Sequence, residues 1–444
     1  MASGSASGSL FNHRDFRLLL FGQTTSQLGA QVSGVAIPLL AVLTLDASPI
    51  DVGMVTGSST LAFALIGLPA GAWVDRWHRR PILVASDLAR CVLLATIPLA
   101  AVSGVLSIAQ LVIVSLLTGF ARVFFDVGYQ SYVPSVIGRD RMLAGNSAME
   151  TMRASGQVVG PGIGGALVSL VGAAGVVLIQ VVTFAVSAIA LLAIRTPEPA
   201  IVPPTVRPRL WSQVREGFAF VARNRILRAT AIASAAGNLS FALASAVMFI
   251  FATRTLELSP ALLGLVIATG SLTVIAGAAL TPRLSRVVGS ARIIWLSLVV
   301  TGPIAILAPL AQPGWGVVLL VLSIAAGEFG QIIYAVTNVT LRQRLCPDRM
   351  LGRVTATMSF LIMGLFPLGA ITGGVLGELI GLRGTLWVSG AVMLLSPMPI
   401  ALALRGFRDV EAIPPWEADA AAAGNADGAN GPGQGGSPSG SAEQ

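Results

Sequence analysis

The sequence predicts an all-α membrane protein in which twelve transmembrane helices form two pseudo-symmetric six-helix bundles. Three observations predict it. Of 444 residues, 54% are hydrophobic and 11% charged, and the mean hydropathy is +0.81, a balance no ordinary soluble domain has. Apolar runs long enough to cross roughly 30 Å of hydrocarbon at about 1.5 Å per residue recur along the chain. The arginines, finally, fall almost wholly in alternate turns between those runs.

The spans lie at about 16–44, 50–74, 81–103, 107–133, 146–170, 174–194, 227–252, 260–282, 291–311, 315–341, 354–379 and 384–404. Twelve is even, so both termini share a face. On that face stand 23 of the 28 basic residues, all of them arginine; Arg254 and Arg383 take the other face, and Arg90, Arg122 and Arg153 fall inside spans. This asymmetry predicts cytoplasmic termini in a cell membrane. It also accounts for the net charge of +8 with the lipid bilayer as partner and no nucleic acid. Cys91 and Cys346 belong to separate apolar runs and imply neither a disulfide nor a metal site.

The chain divides into an N-terminal cytoplasmic tail (1–15), a first bundle (16–194), a cytoplasmic linker (195–226), a second bundle (227–404) and a disordered tail (405–444). The linker opens on closely spaced prolines, which read as extended chain. It then becomes amphipathic: Leu210, Val214, Phe218 and Val221 recur at helical spacing opposite Arg215 and Arg223. That pattern fits an interfacial helix, with a docking helix for a partner protein as the alternative. From Glu411 onward the Gly/Ala/Ser-rich sequence cannot bury enough apolar surface to fold.

An offset of 208 residues matches Gly119 to Gly327, Asp140-Arg-Met-Leu143 to Asp348-Arg-Met-Leu351, and Gly165 to Gly373. Both copies of the four-residue match sit between corresponding spans, which predicts two parallel halves related by an axis along the membrane normal.

Two motifs stand out. The turn after span 2 reads Gly71-Ala-Trp-Val-Asp75-Arg76-Trp-His-Arg79-Arg80. By itself it is either a basic topological stop or a functional loop. Span 5 contains Gly156-Gln-Val-Val-Gly160-Pro161-Gly-Ile-Gly164-Gly165. Glycines at every fourth position form one stripe that permits close helix approach, and Pro161 favours a kink; tight packing alone would account for the pattern.

The first motif, G-x-x-x-D-R-x-x-R-R, resembles the signature loop between the second and third helices of the major facilitator superfamily, with His78 where that family usually has Gly. The second, G-x-x-x-G-P-x-x-G-G, resembles the antiporter motif of the family's drug/proton antiporters, although the usual Gly nine residues upstream is Ser147 here. Asn12-His-Arg-Asp-Phe-Arg-Leu and the stretch Phe124 to Pro134 resemble the branch of macrolide-efflux and siderophore-export proteins. The resemblance covers residues 11 to 405. It implies the major facilitator fold, a central cavity between halves that rock against each other, and a gating role for Gly71, Asp75, Arg76, Arg79 and Arg80. Asp75 is then expected against the first turn of span 11. The implied function is export of small amphiphilic drugs or natural products in exchange for protons. A dedicated exporter of a siderophore or endogenous metabolite is the alternative within transport; a membrane receptor or membrane-embedded enzyme is the alternative outside it.

Ionisable groups within spans are costly and therefore point to function. Arg122 and Asp126 are spaced i, i+4 in span 4, and either neutralise each other or tune a transport site. Asp87 and Arg90 read as a pair near the cytoplasmic surface. Glu328, near the middle of span 10, has no basic residue within a turn. A carboxyl group so placed favours its neutral form, which makes Glu328 the expected proton or cation site, with Asp126 and Arg122 tuning it. A bond from Glu328 to Gln331 or to a backbone carbonyl, serving only packing, is the plainer reading. The two histidines, His13 and His78, lie at edges, and neither a nucleophile constellation nor a phosphate loop occurs. The sequence thus predicts a non-enzymatic, cofactor-free monomer whose partners are protons and a small-molecule substrate.

Overall fold

A computed structural model describes residues 13–74, 76–138, 141–198 and 210–414. Helices account for nearly all of them, and no strand occurs among the described residues. The first bundle comprises α1 (Arg14–Thr44), α2 (Pro49–Val74), α3 (Arg79–Val102), α4 (Ile108–Ile137) and α5 (Met142–Leu192). After α6 (Leu210–Arg223), the second comprises α7 (Arg225–Ile250), α8 (Pro260–Val288), α9 (Arg292–Ala305), α10 (Val317–Leu345), α11 (Asp348–Leu379), α12 (Gly381–Leu395) and α13 (Met398–Leu404).

Helix α5 is two spans joined end to end. Gly172 breaks it at φ 75° and ψ 162°, a left-handed backbone that glycine adopts without steric cost. The break falls between the expected spans 146–170 and 174–194. With α12 and α13 forming one interrupted span, the described helices make twelve crossings. Caps fix several starts: the His13 ring accepts from Phe16 N at 3.3 Å, and Asn224 Oδ1 accepts from Ile226 N and Leu227 N at 3.0 and 2.9 Å.

Helix α6 forms where the amphipathic pattern places it. Arg215 and Arg223 are exposed and Val221 is buried, whereas Phe218 stays exposed. It lies across α11, where Glu216 pairs with Arg353. The linker residues 199–209 and the tails 1–12 and 415–444 lie outside the described residues. Residues 405–414, by contrast, correct the expectation that the tail begins at 405. Val410 and Ile413 are buried in the second bundle's core, Asp409 Oδ1 accepts from Ser290 N at 3.0 Å, and Arg344 donates to Glu411 O at 2.8 Å. Two apolar anchors and a cap at the entry to α9 suffice to hold this short segment.

Packing divides the molecule by depth. At the end away from the arginine-rich turns, here the far face, one core draws on both bundles: Leu39, Val52 and Val176 from the first, Phe251, Leu263 and Leu386 from the second. At the arginine-rich end, the basic face, the cores are separate. Phe16, Leu83, Tyr132 and Ile194 form one; Leu227, Ile294, Leu341 and Val354 form the other. The bundles therefore meet at the far face and part at the basic face.

Glycine makes the far-face contact possible. A Cβ on Gly264 of α8 would lie 2.5 Å from Pro161 O of α5, and one on Gly53 of α2 would lie 2.6 Å from Ala370 O of α11. These two crossings are equivalent under the repeat, and they pair Gly165 with Gly374 rather than with Gly373. The glycine stripe of span 5 packs within its own bundle, and the glycine beside the stripe packs against the other. Gly156, Gly160 and Gly164 face Leu28, Gln31 and Val32 of α1, whereas Gly165 faces Pro260 and Gly264 of α8. The reason is angular: residues four apart stay on one stripe, and the next residue turns about 100° toward another helix. Gly264→Ala is therefore expected to lower the thermal midpoint of the purified protein and to impair transport, since overpacking costs about 1–3 kcal/mol. Gly364→Ala is the control, because nothing lies within 4 Å of a Cβ there.

Candidate functional site

A cavity of about 240 Å³ opens within the first bundle at mid-depth. Helix α1 contributes Gln23, Gln27 and Ser33; α2 contributes Thr56 and Ser59; α3 and α4 contribute Arg90, Arg122 and Asp126; and the second half of α5 contributes Gln180. Ile37, Pro38, Val55 and Leu94 supply its apolar wall. An apolar chamber with a few polar groups is the usual form of a small-molecule site.

Its charged groups fall into two pairs of different character. Arg90 is 6% exposed. Its guanidinium bonds Asp87 and donates to Ser86 O at 3.3 Å, while the rings of Phe125 and Phe184 cover it with centroids 4.4 and 4.3 Å away. Each such cation–π contact is worth about 0.5–2 kcal/mol, so Arg90 is held firmly. Arg122 Nε and Asp126 Oδ2 are 3.5 Å apart, with side chains 68% and 49% exposed. An ion pair this open contributes about 0–1 kcal/mol and is easily exchanged for a ligand. Four more lining atoms are buried and have no hydrogen-bond partner among the described residues: Gln23 Oε1, Ser33 Oγ, Thr56 Oγ1 and Gln180 Oε1.

The structure brings Arg122 and Asp126 together as the spacing suggests, and it adds Arg90, which the sequence reading placed near the membrane surface with Asp87. Both members of that pair are buried. The spacing i, i+3 showed that they touch, but the face of α3 that carries them is set by packing against α4 and α5. Glu328 does not line this cavity. It is half-buried on α10 beside Gly270 of α8. Among the described residues it has neither an ion-pair nor a hydrogen-bond partner, so the bond to Gln331 is absent.

The turn after α2 is tied to its own bundle. The Glu198 carboxylate accepts from Arg79 N and Arg80 N at 2.7 and 2.8 Å, which caps α3 where the helix dipole favours an anion. Arg80 reaches back to Leu191 O at 2.9 Å and to Leu192 O, the last carbonyls of α5. Arg76 is exposed and Gly71 has open space beside it. Asp75 lies outside the described residues. Helices α2 and α11 meet closely at Gly53 and Gly57, near the far face, against Pro367 to Gly374. Glu198 escaped the sequence reading because it sits in a proline-rich linker; its three-residue distance from Arg195 carries no signal. Losing such a cap costs about 1 kcal/mol, so Glu198→Gln is expected to speed hydrogen exchange at the amides of Arg79 and Arg80.

At the far face, Arg254 ends α7 on a π-helical turn, Phe251–Thr255. It crosses to the first bundle, where it donates to Asp46 Oδ1 at 2.6 Å, to Ala47 O at 3.1 Å and to Val42 O at 3.4 Å. Arg383 donates to Ala311 O at 3.0 Å. The two arginines that broke the sidedness of the sequence both knit the far face together.

Twelve crossings in two equivalent bundles, joined at one face and parted at the other, with a cavity at mid-depth in the first, have the architecture of a membrane transporter. Residues 19–367 match the family model of the Major Facilitator Superfamily, and the chain belongs to that superfamily; it is a transporter and not an enzyme. It is 27% identical over 390 residues to the multidrug efflux pump Tap of Mycolicibacterium fortuitum, covering 85% of this chain and 93% of that one. A pump of the same name from Mycobacterium tuberculosis (strain ATCC 25618 / H37Rv) is 27% identical over 418 residues, 90% of this chain and 96% of that one. The fold is similar to that of a bacterial homologue of the iron transporter ferroportin in an inward-facing state, with a TM-score of 0.72 at 16% identity over 89% of this chain and 99% of that one. It is similar also to the nucleoside transporter NupG, with a TM-score of 0.67 at 13% identity over 88% and 98% of the two chains.

Proposed function

We propose that this protein exports small amphiphilic compounds from the cell by proton antiport, as a monomer in the cell membrane with both termini and the basic face cytoplasmic. The observation that carries this reading is the division of the core: shared at the far face, separate at the basic face, with the polar cavity at mid-depth. A transporter so arranged is open toward the cytoplasm and ready to load. Two pumps named for multidrug efflux, similar over most of their length, support the direction of transport.

In the cycle, substrate enters the cavity from the basic face and meets the Arg122–Asp126 pair. The bundles then rock about the glycine crossings of α2 with α11 and α5 with α8, the basic face closes and the far face opens. Closure brings the turn of Gly71, Asp75, Arg76, Arg79 and Arg80 against the start of α11, where Asp75 meets the positive end of the helix dipole. Glu328, half-buried on α10 of the second bundle without a fixed cation, takes up a proton from the far side and releases it on the cytoplasmic side. Gly156, Gly160 and Gly164 keep α5 close to α1 throughout, and Pro161 with Gly165 provides the bend beside α8.

The test is flux in proteoliposomes containing the purified chain. Imposing a proton gradient should drive an amphiphilic dye such as Nε-dansyl-lysine uphill against the proton flow, and a protonophore should abolish the movement. Dye movement indifferent to the gradient and to the protonophore would defeat the antiport reading.

A further inference from the structure

We infer that the cavity of the first bundle is a binding site for zwitterionic head groups, those carrying an ammonium and a carboxylate on the same few atoms, attached to an apolar body. The inference rests on reading this cavity as the transport site, and it names the chemistry that site selects.

Charge balance is the starting point. Asp87, Arg90, Arg122 and Asp126 together carry no net charge. The Asp87–Arg90 pair is unavailable, since Arg90 is buried, bonded and covered by the rings of Phe125 and Phe184. The Arg122–Asp126 pair is available, since it rests on one 3.5 Å contact and both side chains face open space. A purely cationic ligand placed on Asp126 would take the counter-charge of Arg122, and a purely anionic ligand on Arg122 would take that of Asp126. Either leaves one charge without a partner inside the membrane-spanning bundle, where ionisable groups pair with one another. A zwitterion inserted between the two satisfies both at once, carboxylate to guanidinium and ammonium to carboxylate, and leaves the chamber neutral.

The remaining wall fits a polar head with several hydrogen-bonding groups. Ser33 and Gln180 are 1% and 7% exposed, and Ser33 Oγ and Gln180 Oε1 have no partner. Buried polar atoms are left unpaired only rarely. A hydroxyl both donates and accepts, and a carboxamide can rotate to present either end, so these groups accommodate different heads without discriminating among bodies. The body itself lies along Ile37, Pro38, Val55 and Leu94.

Three fluorescent probes with one apolar body test the inference on the purified full-length chain in detergent, with no gradient present. They are Nε-dansyl-lysine, which carries both charges; its methyl ester, which keeps only the ammonium; and its Nα-acetyl derivative, which keeps only the carboxylate. The zwitterion should bind at least about tenfold more tightly than either. Arg122→Gln should reverse the preference toward the ester, and Asp126→Asn toward the acetylated probe. The exchanged pair, Arg122→Asp with Asp126→Arg, should restore the zwitterion preference, which separates charge recognition from misfolding. Gln180→Leu should weaken all three probes together. Equal binding of the ester and the zwitterion to the unaltered protein, or single variants whose preferences do not move although their helical content is normal, would overturn the inference. Loss of the preference with proton-driven dye efflux intact defeats this inference alone; preference intact with no proton-driven efflux defeats the antiport reading alone.

Discussion

Glu328→Gln is expected to insert and to bind amphiphilic compounds, yet to lose at least about tenfold of the efflux driven by a proton gradient, since a membrane-embedded carboxyl group is retained for ion or proton movement. The amide keeps the shape of the side chain and its place beside Gly270 but can neither take up nor release a proton. The carboxyl group has no cation or hydrogen-bond partner among the described residues, so the substitution orphans no neighbour and the fold should survive it. Downhill movement of the same dye, with no gradient imposed, should persist. Measuring both modes in proteoliposomes separates loss of coupling from loss of the transport path. Full gradient-driven efflux in this variant would remove Glu328 from the mechanism.

Arg254→Ala is expected to shift the resting balance between the two conformations by about tenfold or more toward the form open at the far face. The arginine makes charge-assisted bonds across the bundles, to Asp46 and to the Val42 and Ala47 carbonyls. The Asp46 carboxylate is exposed, so that ion pair adds about 0–1 kcal/mol; a bond from the charged guanidinium to a carbonyl is worth about 1.5–3 kcal/mol, and about 1.4 kcal/mol is a factor of ten in an equilibrium. Those partners all sit at the turn between α1 and α2, which separates from α7 when the far face opens. Reactivity of a cysteine placed at Ser48 toward an impermeant maleimide, in a background lacking Cys91 and Cys346, reads the shift. Unchanged labelling would mean that the far face is held by the glycine crossings alone.

Span number, the gathering of arginines at one end and the two-bundle plan were legible because each depends on patterns of local composition. The break at Gly172 was visible as a gap between apolar runs, and α6 as a stripe of Leu210, Val214, Phe218 and Val221. Relations across helices were less legible. Gly156, Gly160 and Gly164 announced a close contact, but their spacing is the same whether the neighbour is α1 or α8. Arg90 with Asp87 looked like a surface pair because sequence gives depth along a helix more readily than the face it presents. Arg254 read as an exception to the charge asymmetry, and its role depends on a turn more than 200 residues earlier. The segment 405–414 reads as the start of a tail because Val410 and Ile413 are too few to mark a structured element, although two anchors and the Asp409 cap hold it.

The central claim is that the two faces open and close reciprocally about the far-face contact. Double electron–electron resonance on two spin-label pairs in the cysteine-free background tests it most directly. One pair spans the far face at Thr44 and Glu257, and the other spans the basic face at Ala144 and Arg286; all four positions are exposed. The account predicts a short far-face distance and a long basic-face distance at rest, exchanging in opposite directions when the pH is lowered, and no longer responding to pH in Glu328→Gln. Distances that lengthen together, or that stay fixed in the unaltered protein at every pH, would contradict it.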